Sequence, residues 1–343
     1  MRRAGVTWAA WVLAVAAAAP GCGGHDPEDG GVVVVYTSLD QVHSEPILDE
    51  FERRTGIRVL PVYDAEASKT TGLVNRLIAR RNDPDCDVLW NNEVVQTARL
   101  ASMGLLAPYA SPNASRIPAE FRDVEHRWTG FAARMRVIIY NTGLVAAEEA
   151  PDSLADLTDE KWKGRAALAR PFFGTTLTHM AWLHQAWGGE RLSKFCRAVR
   201  ANDVAFCTGN ATVRDMVAAG ERAFGLTDTD DAWAAMQAGK PVGVRVPDAA
   251  AGAVVMPNTV SLVSGCPHPE AGRRLIDYLL SAEVERRLAR GAGAQIPLGT
   301  DLAAEPTPWD VFRRGPAMGV DVAKAASSIP EVVALLRQAG MDE

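Results

Sequence analysis

Residues 31–40 read GVVVVYTSLD, an unbroken β-branched run that ends in short polar side chains. Consecutive valines without alternation are typical of a strand buried on both faces of a parallel sheet. Helical spacing follows, with Ser44 as the predicted N-cap of the first helix. Strand and helix in alternation predict a doubly wound α/β sheet. The alternation continues with helices at 44–57 and 67–83 and strands at 58–64 and 86–92.

The remainder of the chain predicts a second α/β unit. Residues 131–142, FAARMRVIIYNT, are expected to form one long strand that leaves the first domain and enters the second. Residues 222–247 predict strand, helix and strand, 252–265 predict two strands that return to the first domain, and 268–290 predict a pair of helices. Since 343 residues suit two domains, we expect two lobes with a ligand cleft between them. The predicted lobes are 32–132 plus 250–290 for lobe 1, and 133–249 plus 291–343 for lobe 2.

The N-terminus has the pattern of a targeting segment, residues 1–22. A basic start leads into an apolar run at 6–19 that is short for a membrane span, and small residues precede Cys22. This pattern resembles a bacterial lipoprotein signal, in which Cys22 becomes acylated; plain cleavage to a soluble periplasmic protein is the alternative. Residues 23–31 fit a flexible acidic tether. The expected location is the periplasm or cell envelope, with lipid on Cys22 as the membrane anchor.

Composition and motifs exclude several functional classes. The chain is 48% hydrophobic and 23% charged, which is typical of a globular protein. A net charge of −6 without a basic stripe argues against nucleic-acid binding. No nucleophile elbow, zinc-protease motif or dinucleotide fingerprint occurs, so we do not expect an enzyme.

Four cysteines remain after the signal segment, and an oxidising compartment permits their pairing. Cys196 and Cys207 lie close in sequence, which favours a disulfide between them. Cys86 and Cys266 fit buried thiols.

Polar side chains follow the ends of several predicted strands. In such sheets ligands bind beyond the carboxyl ends of the strands, where helix N-termini point outward. Arg134 and Arg136 alternate along one strand and therefore share a face, from which one can reach the cleft. Ser68 equally suits a plain helix cap, and Asn92 an ordinary turn. The candidate ligand-binding residues are Ser38, Asp40, Ser68, Lys69, Asn92, Glu93, Arg134, Thr175, Thr176, Asp228, Asp230 and Asp231.

Residues 226–231, LTDTDD, place three carboxylates where a strand is expected to pass into a helix. In one interpretation a threonine caps the helix, and the helix dipole favours Asp230 and Asp231. Capping uses one or two acidic groups, however. Three of them, with Asp40 across the cleft, favour a positive partner: a metal, an amine, or basic side chains such as Lys69.

Taken together, these segments resemble a known family, the periplasmic substrate-binding proteins of ABC importers in the ferric iron, thiamine and phosphonate group. The resemblance implies a type 2 periplasmic-binding (venus flytrap) fold. It also implies a monomer that closes on a small solute and delivers it to a membrane permease and its ATPase. The motifs that carry it are VVVYTSLD at 33–40, DVLWNNE at 87–93, GLTDTDDA at 225–232 and MPNTVSLVSGCPHPEAGRRLIDYLLS at 256–281.

The resemblance also bears on the ligand. Iron-binding members use an adjacent tyrosine pair, often with a His and a Glu, because phenolate oxygens suit Fe(III). The resemblance places Asp230 and Asp231 at the tyrosine pair, Asp40 at the His and Asn92 at the Glu. It thus implies Asp40, Asp230 and Asp231 as ligands of Fe(III) or another hard cation, with or without a bound anion. An organic ligand such as thiamine, a phosphonate or a polyamine stays open, as does a ligand-binding sensor or a periplasmic enzyme.

Overall fold

The computed structural model describes residues 31–64, 71–248, 252–310 and 318–342. Ser68, Lys69 and the predicted signal peptide lie outside the described residues. The strands are β1 Val32–Thr37, β2 Arg58–Tyr63, β3 Val88–Asn91, β4 Leu106–Ala107, β5 Thr129–Asn141, β6 Ala166–Ala169, β7 Ala205–Cys207, β8 Phe224–Asp228, β9 Val242–Arg245 and β10 Val255–Val263. The helices are α1 Gln41–Thr55, α2 Thr71–Ala79, α3 Val95–Ser102, α4 Gly174–Trp187, α5 Gly189–Ala201, α6 Asn210–Ala218, α7 Thr229–Gln237, α8 Pro269–Leu279, α9 Ala282–Arg290 and α10 Val322–Gln338.

The strands form two sheets that share β5. In the first sheet β2, β1 and β3 are parallel, and the antiparallel β10 joins β3 to the start of β5. In the second sheet β7, β6 and β8 are parallel, and the antiparallel β8 and β9 pair with the end of β5. The transition is abrupt, because Arg134 pairs with Met256 of β10 whereas Arg136 pairs with Asp228 of β8. The prediction of one long strand that crosses between two α/β units is confirmed.

One hydrophobic core belongs to the first sheet, and a larger one includes residues of both sheets, such as Leu89 of β3 and Leu168 of β6. Val33 and Val35 of β1 are fully buried, and Ile47, Leu48 and Phe51 of α1 belong to the same cluster. Burial of one such side chain stabilises the fold by about 1.5–3 kcal/mol. The C-terminal helix α10 packs on both α3 and α4. Helix α10 therefore joins a helix that follows the first sheet to a helix that follows the second. The residue ranges predicted for each lobe stay a prediction.

The start of α1 differs from the prediction. The helix begins at Gln41, so Ser44 is not its N-cap. The Ser44 hydroxyl instead donates to the main-chain oxygens of Leu39 and Asp40, from within the first turn. This keeps Asp40 at the end of the chain segment that leaves β1. Gly56, within the range predicted for this helix, ends it with a φ of 71°.

Residues 252–265 hold one strand, β10, and not the two that were predicted. The register of β10 against β5 shifts between Met256 and Asn258. Pro257 lies at this shift and has no N–H to donate, so the strand absorbs it as an irregularity and continues. The chain therefore returns to the first sheet without a turn.

Two predictions that concern export can be compared with the structure. The disulfide between Cys196 and Cys207 is wrong: the four cysteines in the described part of the chain are free thiols. Cys196 is a buried residue of α5, whereas Cys207 ends β7 in a different hydrophobic cluster. Among the described helices, none combines the length and hydropathy needed to cross a bilayer.

Candidate functional site

A cavity of about 60 Å³ lies at the carboxyl ends of the parallel strands of both sheets. Leu39 and Asp40 reach it from the end of β1, and Asn92 from the end of β3. The second sheet contributes residues that follow β6, β7 and β8, including Asp228. Strand ends are where α/β sheets bind ligands, because helix N-termini open there. The structure thus brings the predicted candidates from both lobes to one cleft.

Two buried arginines share one carboxylate beside this cavity. Nη1 of Arg136 lies 2.7 Å from Oδ1 of Asp228, and Nε of Arg134 lies 3.3 Å from Oδ2. All three side chains are at most 4% exposed. Burial acts to raise the pKa of Asp228, but the guanidinium groups of Arg136 and Arg134 hold this pKa below its ordinary value. Asp228 is therefore ionised as the counter-ion of the pair.

The carboxylate of Asp228 accepts further hydrogen bonds. Thr175 Oγ1 donates to its Oδ2 at 2.7 Å, and Asn210 Nδ2 donates to the same oxygen at 3.0 Å. Thr176 is buried next to this group, 3.5 Å from Nη2 of Arg136. Because so many donors already converge on Asp228, its carboxylate orients the arginines and the two helix starts.

The N-termini of α4 and α6 both open on the cavity. Gly174, Thr175 and Thr176 line it at the start of α4, and Asn210 and Ala211 line it at the start of α6. The first N–H groups of a helix have no acceptor within the helix, and the helix dipole is positive at that end. Two such ends in one cavity provide donors suited to an anionic group.

Carboxylates line the cavity beside these helix starts. Asp40, Asp230 and Asp231 line it, and carboxylate oxygens of Asp228, Asp230 and Asp231 lie within 4.8 Å of one another. Burial raises the pKa of Asp230; Arg134 opposes this rise, and the negative charges of Asp228 and Asp40 add to it. Negative charge is thus concentrated at these carboxylates.

Neither threonine of the run LTDTDD caps helix α7 with its side chain. Asp228 is the N-cap residue of α7, and its side chain makes no capping hydrogen bond. Thr229 Oγ1 instead accepts from Met135 N at 3.1 Å, and Thr227 Oγ1 donates to Asn210 O at 3.2 Å. Asp231 accepts a hydrogen bond from Thr227 and lies 3.4 Å from Nη1 of Arg214. The capping interpretation of the threonines is therefore wrong.

Ser38 and Glu93 lie behind the cavity and support the turn at residues 92–94, between β3 and α3. Ser38 Oγ accepts from Asn92 N at 2.8 Å. Glu93 is fully buried and accepts from Thr178 Oγ1 of α4 at 2.6 Å and from Val95 N at 2.7 Å. Burial raises the pKa of Glu93, against these hydrogen bonds. These two candidates position the 92–94 turn, and Asn92 is the member of the turn that lines the cavity.

Sequence reasoning missed residues that the fold brings into the cleft. Arg170 and Phe173 line the cavity after β6, and Gly209 and Asn210 line it between β7 and α6. The signal for the second pair was a Thr-Gly-Asn sequence directly after a short strand, the same pattern of small and polar residues that identified the other strand ends.

Two sheets joined by a crossing strand, with a cleft at their strand ends, define the class: a two-lobed periplasmic-binding protein of type 2. The chain belongs to the bacterial extracellular solute-binding protein family, whose model matches residues 92–313. The predicted family resemblance and the predicted fold are both confirmed.

Relatives in this family carry names that refer to different ligands. A Salmonella typhimurium periplasmic protein named for 2-aminoethylphosphonate binding is 28% identical over 291 residues, 81% of each chain. An Fe(3+)-binding periplasmic protein of Serratia marcescens is 26% identical over 55% of this chain and 54% of its own. The major ferric iron-binding protein of Neisseria meningitidis is 21% identical over 90% of this chain and 93% of its own.

Solved structures confirm the fold. Iron-bound HitA from Pseudomonas aeruginosa superimposes with a TM-score of 0.79 at 22% identity, covering 90% of this chain and 99% of its own. AfuA from Actinobacillus pleuropneumoniae, with fructose-6-phosphate bound, gives a TM-score of 0.77 at 22% identity, covering 90% of this chain and 97% of its own.

Proposed function

We propose that this protein is the extracytoplasmic receptor of an ABC importer. It captures a small solute between its lobes and delivers it to a membrane permease, whose ATPase drives uptake. Family membership and a cavity at the strand ends of both sheets support this role. We also propose that lipid on Cys22 anchors the monomeric receptor at the cell envelope.

The solute that we propose carries a positively charged centre, held by Asp40, Asp230 and Asp231. The observation that carries this proposal is the crowding of carboxylates in the cavity, where oxygens of Asp228, Asp230 and Asp231 lie within 4.8 Å of one another. Burial raises the pKa of Asp230, and the charges of Asp228 and Asp40 add to this rise. A cation bound there relieves the repulsion between the carboxylates, so the site favours a cation over a neutral or anionic group. A cavity of about 60 Å³ suits an ion or a compact molecule better than thiamine.

Fe(III) is the first candidate. Carboxylate oxygens suit a hard cation, and several relatives are named for ferric iron. None of the five tyrosines lines the cavity, so the site would hold iron without phenolates. We therefore propose an all-oxygen site, in which the N-termini of α4 and α6 can hold an accompanying anion.

A small zwitterion such as 2-aminoethylphosphonate is the second candidate. Arg134 lines the cavity, and its buried Nη1 has no hydrogen-bond partner within the described residues. Together with the starts of α4 and α6 it offers donors to an anionic group beside the carboxylates. An amine at Asp230 and a phosphonate on these donors would satisfy both kinds of group. The name of the Salmonella relative supports this candidate.

Isothermal titration calorimetry tests the receptor and its ligand. Fe(III), with and without citrate or phosphate, is compared with 2-aminoethylphosphonate, ethylphosphonate, thiamine and putrescine. We expect one-to-one binding of a cation-bearing solute, and a loss of about tenfold or more in affinity for Asp230→Asn with Asp231→Asn. Asp215→Asn is the matched control, because Asp215 pairs with Arg214 at the surface and does not line the cavity.

Two results would count against this proposal. If ethylphosphonate binds as tightly as its amino analogue and Fe(III) does not bind, the carboxylates do not select a cation. If purified protein binds none of the probes and turns over a substrate, the receptor role is wrong. A neighbouring kinase gene in place of permease and ATPase genes would favour a sensor.

A further inference from the structure

Arg134 lies at the point where β5 passes from one sheet to the other. Its strand partner is Met256 in the first sheet, whereas Arg136, two residues further on, pairs with Asp228 in the second. We propose that Arg134 couples solute binding to closure of the lobes, by joining the solute, the 92–94 turn and Asp228. This proposal rests on the proposed receptor function.

The guanidinium group of Arg134 has two hydrogen-bond partners and one unused donor. Nη2 donates to the main-chain oxygen of Asn92, which follows β3 of the first sheet. Nε lies 3.3 Å from Asp228 at the end of β8 in the second sheet. Nη1 is buried and lacks a hydrogen-bond partner among the described residues, and Arg134 is one of the residues that line the cavity. A rigid, planar group thus contacts both sheets, lines the cleft and keeps one donor unused.

Arg136 provides the contrast within the same strand. It lies on the same face and is equally buried, and it binds the same carboxylate at 2.7 Å. Its other partners are Thr175 and Thr176 of α4 and Asn210 of α6, all in the second lobe's part of the cleft. Arg136 does not line the cavity. Of these two buried arginines, Arg134 is therefore the one that contacts the turn after β3 of the first sheet.

A second contact reaches the same turn from α4. Thr178 Oγ1 donates to Glu93 at 2.6 Å, and both side chains are fully buried. The 92–94 turn is thus held at two adjacent residues, Asn92 by Arg134 of the crossing strand β5 and Glu93 by Thr178 of α4. We expect these contacts to weaken when the cleft opens.

The solute completes this arrangement through the remaining donor. A buried guanidinium N–H without a partner is unfavourable, so the closed arrangement is disfavoured until an acceptor arrives. A carboxylate or phosphonate oxygen, from the solute or from an anion bound with Fe(III), can accept from Nη1 in a charge-assisted bond. Since this bond forms in the closed conformation, solute binding shifts the equilibrium between open and closed conformations toward the closed one.

Hydrogen exchange of the solute-free protein tests the contact between Arg134 and the turn. Arg134→Lys keeps the positive charge but lacks the planar group with several donors, and Arg136→Lys is the matched control. We expect amide exchange at residues 92–97 to increase about tenfold in Arg134→Lys and to stay within about threefold of the unsubstituted protein in Arg136→Lys. Equal increases in the two variants, or none in Arg134→Lys, would overturn the proposal.

Stopped-flow binding of Fe(III)-citrate and 2-aminoethylphosphonate tests the coupling to the solute. For whichever probe binds the unsubstituted protein, we expect Arg134→Lys to raise the dissociation rate about tenfold to a hundredfold and to change the association rate less than about threefold. Small-angle scattering should then show less compaction on binding. An unchanged dissociation rate would overturn the proposal. If neither probe binds, the proposed ligand is wrong, and the exchange measurement still decides the role of Arg134.

Discussion

Nη1 of Arg136 lies 2.7 Å from Oδ1 of Asp228, and both side chains are buried where β5 meets β8. The same carboxylate also faces Arg134, so one negative charge balances two positive ones. The pair of arginines therefore depends on Asp228 for its burial. Arg134 also lies within reach of the charges of Asp230 and Asp40, and all three residues line the cavity.

Replacement of Asp228 by Asn should destabilise the solute-free protein by about 3–5 kcal/mol, because two buried guanidinium groups lose their counter-ion. Urea unfolding at neutral pH measures this change. Asp83→Asn is the control: its pair with Arg80 is 91% exposed on the Asp83 side, and the expected cost is below about 1 kcal/mol. Equal effects of the two substitutions would show that the buried cluster adds no special stability.

Replacement of Asp230 by Asn should have the opposite effect on stability. The pKa of Asp230 is raised in the folded protein, so its contribution to stability is present below the unfolded pKa and is lost as pH rises through the folded pKa. At neutral pH the ionised carboxylate therefore opposes folding. We expect Asp230→Asn to stabilise the solute-free protein at pH 7, with a gain that shrinks as pH falls toward 4, while it weakens solute binding.

Urea unfolding of both proteins at a series of pH values measures the effect of Asp230→Asn. Asp228 has a lowered pKa, so its contribution runs the other way: it is present above the unfolded pKa and is lost as pH falls through the folded one. A destabilised Asp230→Asn variant at pH 7 would contradict the crowding of charge that we infer at the cavity.

Replacement of Thr178 by Val should remove a buried hydrogen bond without a change of shape. Its hydroxyl donates to Glu93, whose burial makes each donor valuable. We expect a loss of about 1.5–3 kcal/mol in the free energy of unfolding. Thr158→Val is the control, because its hydroxyl bonds to Ala155 O near the surface and the expected loss is within about 0.5 kcal/mol. Comparable losses at the two sites would argue against a special role for the Glu93 contact.

The free thiols predict that reducing agent leaves stability unchanged. Burial raises the pKa of Cys196 to about 12 and that of Cys266 to about 11, so few thiolates form at neutral pH. We expect the native protein to react slowly with a thiol reagent and the urea-unfolded protein to react quickly. A drop in melting temperature on addition of dithiothreitol would instead reveal a disulfide.

Much of the fold was predictable because hydrophobic spacing reports local structure. The valines of β1 marked a buried strand, and the run at 131–142 marked the long strand β5. The misplaced features depended on contacts beyond the local sequence. Ser44 looked like a cap until its hydroxyl was found on the carbonyls of Leu39 and Asp40. Residues 252–265 were predicted to form two strands, yet pairing with β5 carries the single strand β10 through Pro257.

The candidate site divides in the same way. From residue types and strand ends, the sequence determined that Asp40, Asn92, Arg134 and the LTDTDD run belong to one cleft, because parallel strands end on the same edge. Only the tertiary structure decided the charge partners of these carboxylates. Asp228 forms ion pairs with two buried arginines, whereas Asp230 lines the cavity near other carboxylates. Spacing along the chain places a side chain at an edge of the sheet. Its charge partners come from strands more than 90 residues away, and their distances depend on how the two sheets meet.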